Sequence, residues 1–397
     1  MPHERPRVLL PTLLKRLKLW PVVGLVGVRQ SGKSVLLKKL LLPKIQGRYT
    51  TLDSLTSRSR AEAAPEGFTE IDRKQIQIID EIQKVPNLFD SIKFHVDENR
   101  RPGMYVISGS TEFSKFTGIR ESLTGRIGIL RLYPLTFNEL YSRDELGSYW
   151  SHPITKTKEI KASLPANAFE MKLNRGGMPG LCFIRDDLEF AASCDMWIET
   201  TCYRDLQQVQ LGKIDGSLGQ ALLSEIARQT EPTLPTLAKA LRKDARVISR
   251  YLQALEAVLV IHRIEPHPAG VGKAIYCLCD VGIASHLGAS RENLIKVHLL
   301  LEALALFEAQ GWGRPKVYYY RNEKTSRVPL IFDWQGKKSA PAGIALQFQD
   351  TENMGTRDFF SLDAFSKRAN WKGRLLMLSQ ATHSFIEGQV EVGPLRG

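Results

Sequence analysis

A chain of 397 residues exceeds one ordinary core, so two to three domains are expected. With 43% hydrophobic and 24% charged residues it reads as a soluble globular protein, not a disordered or membrane-embedded one. A formal net charge of +13 is compatible with a polyanionic partner, nucleic acid or anionic membrane surface, and equally with a generally basic solvated surface. The five cysteines form no CxxC pair and the eight histidines lie at no zinc-ligand spacing beside them, so a structural metal is not expected and the thiols read as reduced.

Leu9, Leu10, Leu13, Leu14, Leu17 and Leu19 recur at helical spacing and predict an amphipathic helix docked on the chain's own core. Pro11, Lys15, Arg16 and Lys18 interrupt the apolar core a signal peptide needs, and no run is long enough to span a bilayer. A cytoplasmic protein without a membrane partner is the expectation. From residue 22 the short apolar runs "PVVGLVG", "YTTLD", "IQIID", "MYVISGS" and "IGILRLYP" alternate with helical patterns, as buried parallel strands do. Residues 1–145 are therefore expected to form an α/β domain. Residues 146–215 read as a helical linker region. Residues 216–290 run helix, turn, helix, short turn, helix, strand, the order of a winged helix-turn-helix. Residues 291–397 return to mixed α/β.

The segment Gly27, Val28, Arg29, Gln30, Ser31, Gly32, Lys33, Ser34 fits GxxxxGK[ST] between a Val-rich strand and a Leu/Lys helix, the context of a phosphate-binding loop. Its glycines let backbone N–H groups and a helix N-terminus face negative charge. Lys33 is placed to reach the β- and γ-phosphates, and Ser34 to ligate Mg2+. The run "IQIIDEIQKVP" ends in Asp80 and Glu81, which puts Asp80 at the carboxyl edge of the sheet, suited to the magnesium shell. Glu81 is placed to activate the attacking water. Ser108 and Ser110, after the next strand, suit sensing of the γ-phosphate or stand as a plain strand-to-loop turn. Arg126 is either a surface charge or an arginine acting on a neighbouring subunit's phosphoryl group. Between Lys239 and Arg250 five basic residues (Lys239, Arg242, Lys243, Arg246, Arg250) face one acid, Asp244. Such a face meets duplex DNA through phosphates first, although winged helices also dock proteins.

Together these residues resemble prokaryotic AAA+ ATPases that carry a C-terminal domain of unknown function, a winged helix with a remnant restriction-endonuclease fold. "GVRQSGKS", "IQIIDEIQKVP", "ISGS" and "ESLTGRIGILRLYPLTFNEL" are similar to that family's phosphate loop, Walker B strand, sensor and arginine segment. "RGGMPG", Tyr203-Arg204-Asp205 and "KAIYCLCDVGIASHL" resemble its later motifs. The resemblance implies ATP over other nucleotides and a homo-oligomer. The sequence departs where the family shows E-V-D and E-V-K: here stand Arg327-Val328-Pro329 and Gln347-Phe348-Gln349. Amides and a proline do not hold a catalytic cation, and a shifted alignment using Asp333 and Glu302 still lacks the lysine. An inactive nuclease fold is therefore expected.

The leading expectation is a magnesium-dependent ATPase, with Lys33, Glu81 and Arg126 catalytic, that couples nucleotide state to a C-terminal module binding DNA or protein. The alternative is a non-hydrolytic nucleotide-sensing regulator that recruits a protein partner.

Overall fold

The computed structural model describes residues 4–72, 74–112, 123–141, 150, 153–154, 158–159, 167–209, 214–323, 326–335, 342–351, 354–380 and 383–395. The expected boundary at residue 145 lies outside them.

The N-terminal helix forms over Leu10–Leu17, with Leu13 and Leu17 buried. Its Thr12 hydroxyl donates to the Ala309 carbonyl, which ties it to the far end of the chain. Five parallel strands follow: β1 (Val22–Val26), β2 (Gly47–Thr51), β3 (Ile76–Asp80), β4 (Tyr105–Gly109) and β5 (Ile127–Arg131), in the order β2-β3-β4-β1-β5. Both β1 and β4 are buried along their whole length because helices cover both faces of the sheet. From β1 the chain crosses to β2 at one edge and returns through β3 and β4, and β5 then lies on the other side of β1, which opens a crevice at the carboxyl ends of the strands.

Beyond the sheet come the helices Phe137–Leu140, Ala168–Arg175 and Asp187–Thr200, the last continuing through a wider turn at Thr201–Asp205. Three helices follow, Gly216–Arg228, Leu234–Leu241 and Ala245–Ala257, then an antiparallel pair, β7 (Ile261–Pro266) and β8 (Ile275–Leu278). Thr233 bridges Ile275 and so fastens the start of the second helix to that pair. The pair does not stand apart. It joins a nine-stranded sheet ordered β6-β13-β14-β12-β11-β10-β9-β7-β8, whose other strands are β6 (Lys158–Glu159), β9 (Lys316–Arg321), β10 (Arg327–Asp333), β11 (Gly343–Phe348), β12 (Arg374–Ser379), β13 (His383–Glu387) and β14 (Val390–Pro394). The sheet thus runs across the 290/291 boundary expected from the sequence.

The two sheets meet on one helix, Arg291–Gln310, which is buried all round from Asn293 to Ala309. A helix with no solvent face must satisfy its polar groups internally. Glu302 accepts the Phe137 N–H at 2.8 Å and pairs with Lys172 at 3.5 Å, while Glu308 accepts the Arg131 N–H at 3.2 Å. Burial pushes the Glu302 carboxyl up to about 7, with Lys172 opposing. These bonds fix the register between the helix and the segment that follows β5.

Candidate functional site at the carboxyl ends of the parallel strands

Residues 27–34 leave β1 and turn into the helix Lys33–Val35. Gln30 (φ 63°) and Gly32 (φ 95°) both take left-handed backbone, a pattern that turns successive N–H groups toward one point. A Cβ on Gly27 would lie 2.5 Å from the Leu132 carbonyl, so the close passage of the loop over β5 requires glycine there. Ser31 is fully buried and its Oγ has no hydrogen-bond partner. The Lys33 ammonium is buried and donates to the carbonyls of Gly27 (2.9 Å) and Val28 (3.2 Å). Desolvation lowers its proton affinity, against the pull of Glu81 and Asp80.

Asp80 ends β3 with 1% exposure and collects three hydroxyls. Ser34 Oγ donates to it at 2.6 Å, Tyr49 Oη at 2.6 Å, and Ser108 Oγ on the other oxygen. Strand register explains the set: Thr51 pairs with Asp80, so Tyr49 two residues earlier lies on the same face of the sheet, and β4 carries Ser108 beside it. Glu81 sits at φ 61°, uncommon for a residue with a Cβ. Backbone strain of this kind persists where the surroundings impose it. Gln83 donates from one amide nitrogen to both Glu81 and Ser110 Oγ (3.2 Å for the latter). The loop, both acids and both serines named from the sequence are therefore brought together.

Arg126 is not among them. It precedes β5 at the amino end of the sheet, since its neighbour Ile127 pairs with Val22, and it forms an exposed bidentate pair with Asp97 (2.6 and 2.9 Å). It does not serve its own chain's phosphate loop. Two guanidinium groups do stand at the loop, those of Arg7 and of the loop's own Arg29. Asp205, at the end of the long helix after the sheet domain, grips that of Arg29 at 2.6 and 2.9 Å, and that hydrogen bond raises its pKa. Trp197 Nε1 donates to the Arg29 carbonyl at 3.4 Å, and Arg7 Nη1 to the Ser31 carbonyl at 2.9 Å. The "GGMPG" turn lies over the loop, with a Cβ on Gly32 3.4 Å from Pro179 and one on Gly180 3.3 Å from the Gln30 amide oxygen. Gly177 N donates at 2.8 Å to Asp280, whose carboxylate also caps the helix Val281–His286. The roles of Tyr49, Trp197 and Asp205 have no local signal because their contacts join residues 31 to 176 positions apart, whereas Gln83 lies two residues from Glu81 with no pattern that marks it.

Lys239, Arg242, Lys243 and Arg246 are exposed and engage no ion pair among the described residues. Arg250 is half-buried, its guanidinium 5.9 Å from the Tyr251 ring. At the expected nuclease remnant, Gln349 Nε2 donates to Asp358, Asp333 Oδ1 accepts the Gln335 N–H, and Glu302 is used in the core. Among the described residues no group of three or more His, Cys, Asp or Glu is placed to hold a metal ion, and no helix is long and apolar enough to cross a membrane. The cysteines are free, and burial pushes the thiols of Cys182, Cys194 and Cys202 up to about 12, which leaves them poor nucleophiles.

Residues 20–141 match the model of a family described as an AAA domain. This part of the chain is therefore similar to AAA-type P-loop domains. Over 370 aligned residues the chain is 25% identical to the uncharacterized protein Rv2008c of Mycobacterium tuberculosis, covering 84% of this chain and 72% of that one, and protein Mb2031c of Mycobacterium bovis matches to the same extent. Among solved structures, the Walker-type ATPase PABY2304 of Pyrococcus abyssi covers 72% of this chain and 99% of its own at 14% identity, with a TM-score of 0.43.

Proposed function

We propose that the chain binds magnesium-ATP at residues 27–34 and hydrolyses it, and that Arg29 and the turn over the loop pass the nucleotide state to a winged-helix module that binds duplex DNA. The observation that carries this reading is the Asp80 carboxylate, held by Ser34 at 2.6 Å beside a buried Lys33, with Glu81 next in the chain. That donor set, together with the unpartnered Ser31 hydroxyl, fits a hydrated cation, which Ser34 and Asp80 would hold beside a triphosphate. Magnesium, when bound, neutralises charge on the β- and γ-phosphates. Lys33 would exchange its two loop carbonyls for phosphate oxygens, and Ser34 and Asp80 would hold the cation's shell. Glu81, oriented by Gln83, would take the proton of the attacking water. Ser108 and Tyr49 keep the Asp80 oxygens in place.

Two contacts support coupling. A phosphate near Arg29 competes with Asp205 for the same guanidinium, and Gly177 links the turn over the loop to Asp280, which follows β8. The order of three helices, a bridge at Thr233 and the β7–β8 pair supports the winged-helix reading, and the unpaired basic face supports DNA as its partner. Gln349, tied to Asp358 where a nuclease carries its lysine, supports an inactive nuclease centre. A homo-oligomer, in which Arg126 releases Asp97 and reaches a neighbour's site, belongs to the same proposal.

The test is phosphate release by wild type and Glu81→Gln, with and without duplex DNA, across a salt series. The proposal expects turnover that the substitution removes and that DNA stimulates at low salt. Turnover indifferent to DNA at every salt concentration would move the partner to protein, and absence of turnover would leave a nucleotide-sensing regulator.

A further inference from the structure

The run "YPLTFNEL", residues 133–140, takes no part in the chemistry proposed above, yet it is bonded to three neighbours of the phosphate loop. Leu135 donates its N–H to the Gly177 carbonyl, in the turn over the loop, at 2.7 Å, and Phe137 donates to Glu302 on the joining helix. The third bond starts from a helix cap. Thr136 and Glu139 form a capping box in which the Thr136 hydroxyl accepts the Glu139 N–H (3.2 Å) and the Glu139 Oε2 accepts the Thr136 N–H (2.8 Å). Glu139 is only 2% exposed, so its other oxygen also needs a partner inside the protein. That oxygen accepts the Val8 N–H at 2.7 Å and the Arg7 Nε at 3.1 Å.

Arg7, itself buried, places the rest of its fork on two backbone carbonyls, Nη2 on Tyr133 at 2.6 Å and Nη1 on Ser31 at 2.9 Å. Each of its three nitrogens is thus engaged and its charge is met by Glu139, which makes it a brace and not a phosphate ligand. The contact with Ser31 bears on binding. In a trans peptide the C=O and N–H point opposite ways, so a guanidinium fixed on the Ser31 carbonyl fixes the direction of the Gly32 N–H. Gly32, at φ 95°, has no side chain to hold that plane, and the Ser31 hydroxyl has no partner that could do so. A Cβ at Gly32 would stand 3.0 Å from Arg7 Nη1, so the guanidinium closes the loop on that side.

We propose that Arg7 and Glu139 are positioning residues for the phosphate loop: Glu139 orients the Arg7 guanidinium, and Arg7 holds the Ser31–Gly32 peptide with its N–H toward the β-phosphate of the nucleotide. This rests on the reading of residues 27–34 as the nucleotide site. The β-phosphate is held before and during transfer of the γ-phosphoryl group, so the brace acts on binding and not on the chemical step.

The test is isothermal titration of the full chain with ADP and with a non-hydrolysable ATP analogue, beside steady-state turnover of ATP. Arg7→Lys keeps a cation opposite Glu139 but cannot reach Glu139 and both carbonyls at once. It is expected to raise the Kd of both ligands and the KM for ATP about tenfold, the worth of one hydrogen bond, while kcat at saturating ATP stays within about twofold. Glu139→Gln, which keeps one oxygen as an acceptor, should show the same split at about threefold. Because Glu139 acts through Arg7, the double variant should bind no more weakly than Arg7→Lys alone. A pair that only tied down the N-terminal segment would lower the unfolding temperature of the nucleotide-free protein and leave these constants alone. Unchanged Kd in folded Arg7→Lys or in Glu139→Gln, a fall in kcat without a change in KM, or additive losses in the double variant overturns the proposal and leaves the reading of residues 27–34 standing. No binding of ADP or the analogue by wild type removes that reading, and the proposal with it.

Discussion

The carboxyl ends of β1, β3 and β4 and the cleft beside β10 and β11 are built alike, each where strands of a sheet end or bend beside a helix, yet they treat charge in opposite ways. At the first, Asp80 is held by hydroxyls and no cation is bonded to it among the described residues, while Lys33 is held only by backbone carbonyls. At the second, Glu231 is gripped by Arg321 and Arg291 by Glu170 and Asp350, while Lys296 meets only the Thr230 carbonyl. A site that leaves its charges to be used can stabilise a transferring phosphoryl group. Charges already paired with one another, as Glu231 with Arg321 and Arg291 with Glu170 and Asp350, are not available for that.

The largest effect that would break this contrast is on chemistry. Glu81→Gln is expected to lower ATP turnover by about 10²–10⁴-fold while ATP still protects the protein against thermal unfolding. An equal loss of binding would mean that Glu81 holds the loop's shape instead.

Stability supplies the next test, at the helix joining the two regions. Between about 4.5 and about 7 the folded chain keeps the Glu302 proton that the unfolded chain has released, so stability falls as pH rises through that window and levels off above it. The span amounts to roughly 3 kcal/mol. Glu302→Gln should flatten it in urea titrations run from pH 5 to pH 8.

A smaller effect sharpens the link between nucleotide and module. Asp205→Asn frees Arg29 for phosphate, so the KM for ATP should fall by about 3–10-fold, the worth of a charge-assisted hydrogen bond partly offset by solvent, and stimulation by DNA should disappear. Steady-state kinetics with and without duplex would show both. The smallest change is expected at the basic face: Arg246→Ala should lower the slope of log affinity against log salt by about one, uniformly across DNA sequences.

Much of the first region was legible in the sequence because its signals are local. GxxxxGKS, Asp80-Glu81 at a strand end and the five Val- and Ile-rich runs each carry their meaning within about ten residues. Arg29 was legible as a loop residue, but its partner Asp205 lies far along the chain and no periodicity points to it. Arg126 suggested catalysis by its type and its place in "ESLTGRIGILRLYPLTFNEL", and the register of β5 with β1 puts it at the opposite end of the sheet from its own chain's loop. At the far cleft the want of carboxylates at Pro329, Gln347 and Gln349 could be read from the sequence. The cleft itself could not, since it is closed by Thr230 and Ile275 from segments preceding the strands. Nor does composition announce that β7 and β8 extend the sheet of β9 to β14, because the parallel pairing of Glu265 with Tyr318 is a tertiary event.

The central claim is that nucleotide chemistry resides at Lys33, Ser34, Asp80 and Glu81. Its most direct test is magnesium-dependent release of phosphate from ATP, followed for wild type and for Glu81→Gln protein first shown to bind ATP. The account predicts turnover by wild type that requires magnesium and is lost in the variant. Equal turnover by the two proteins would contradict it.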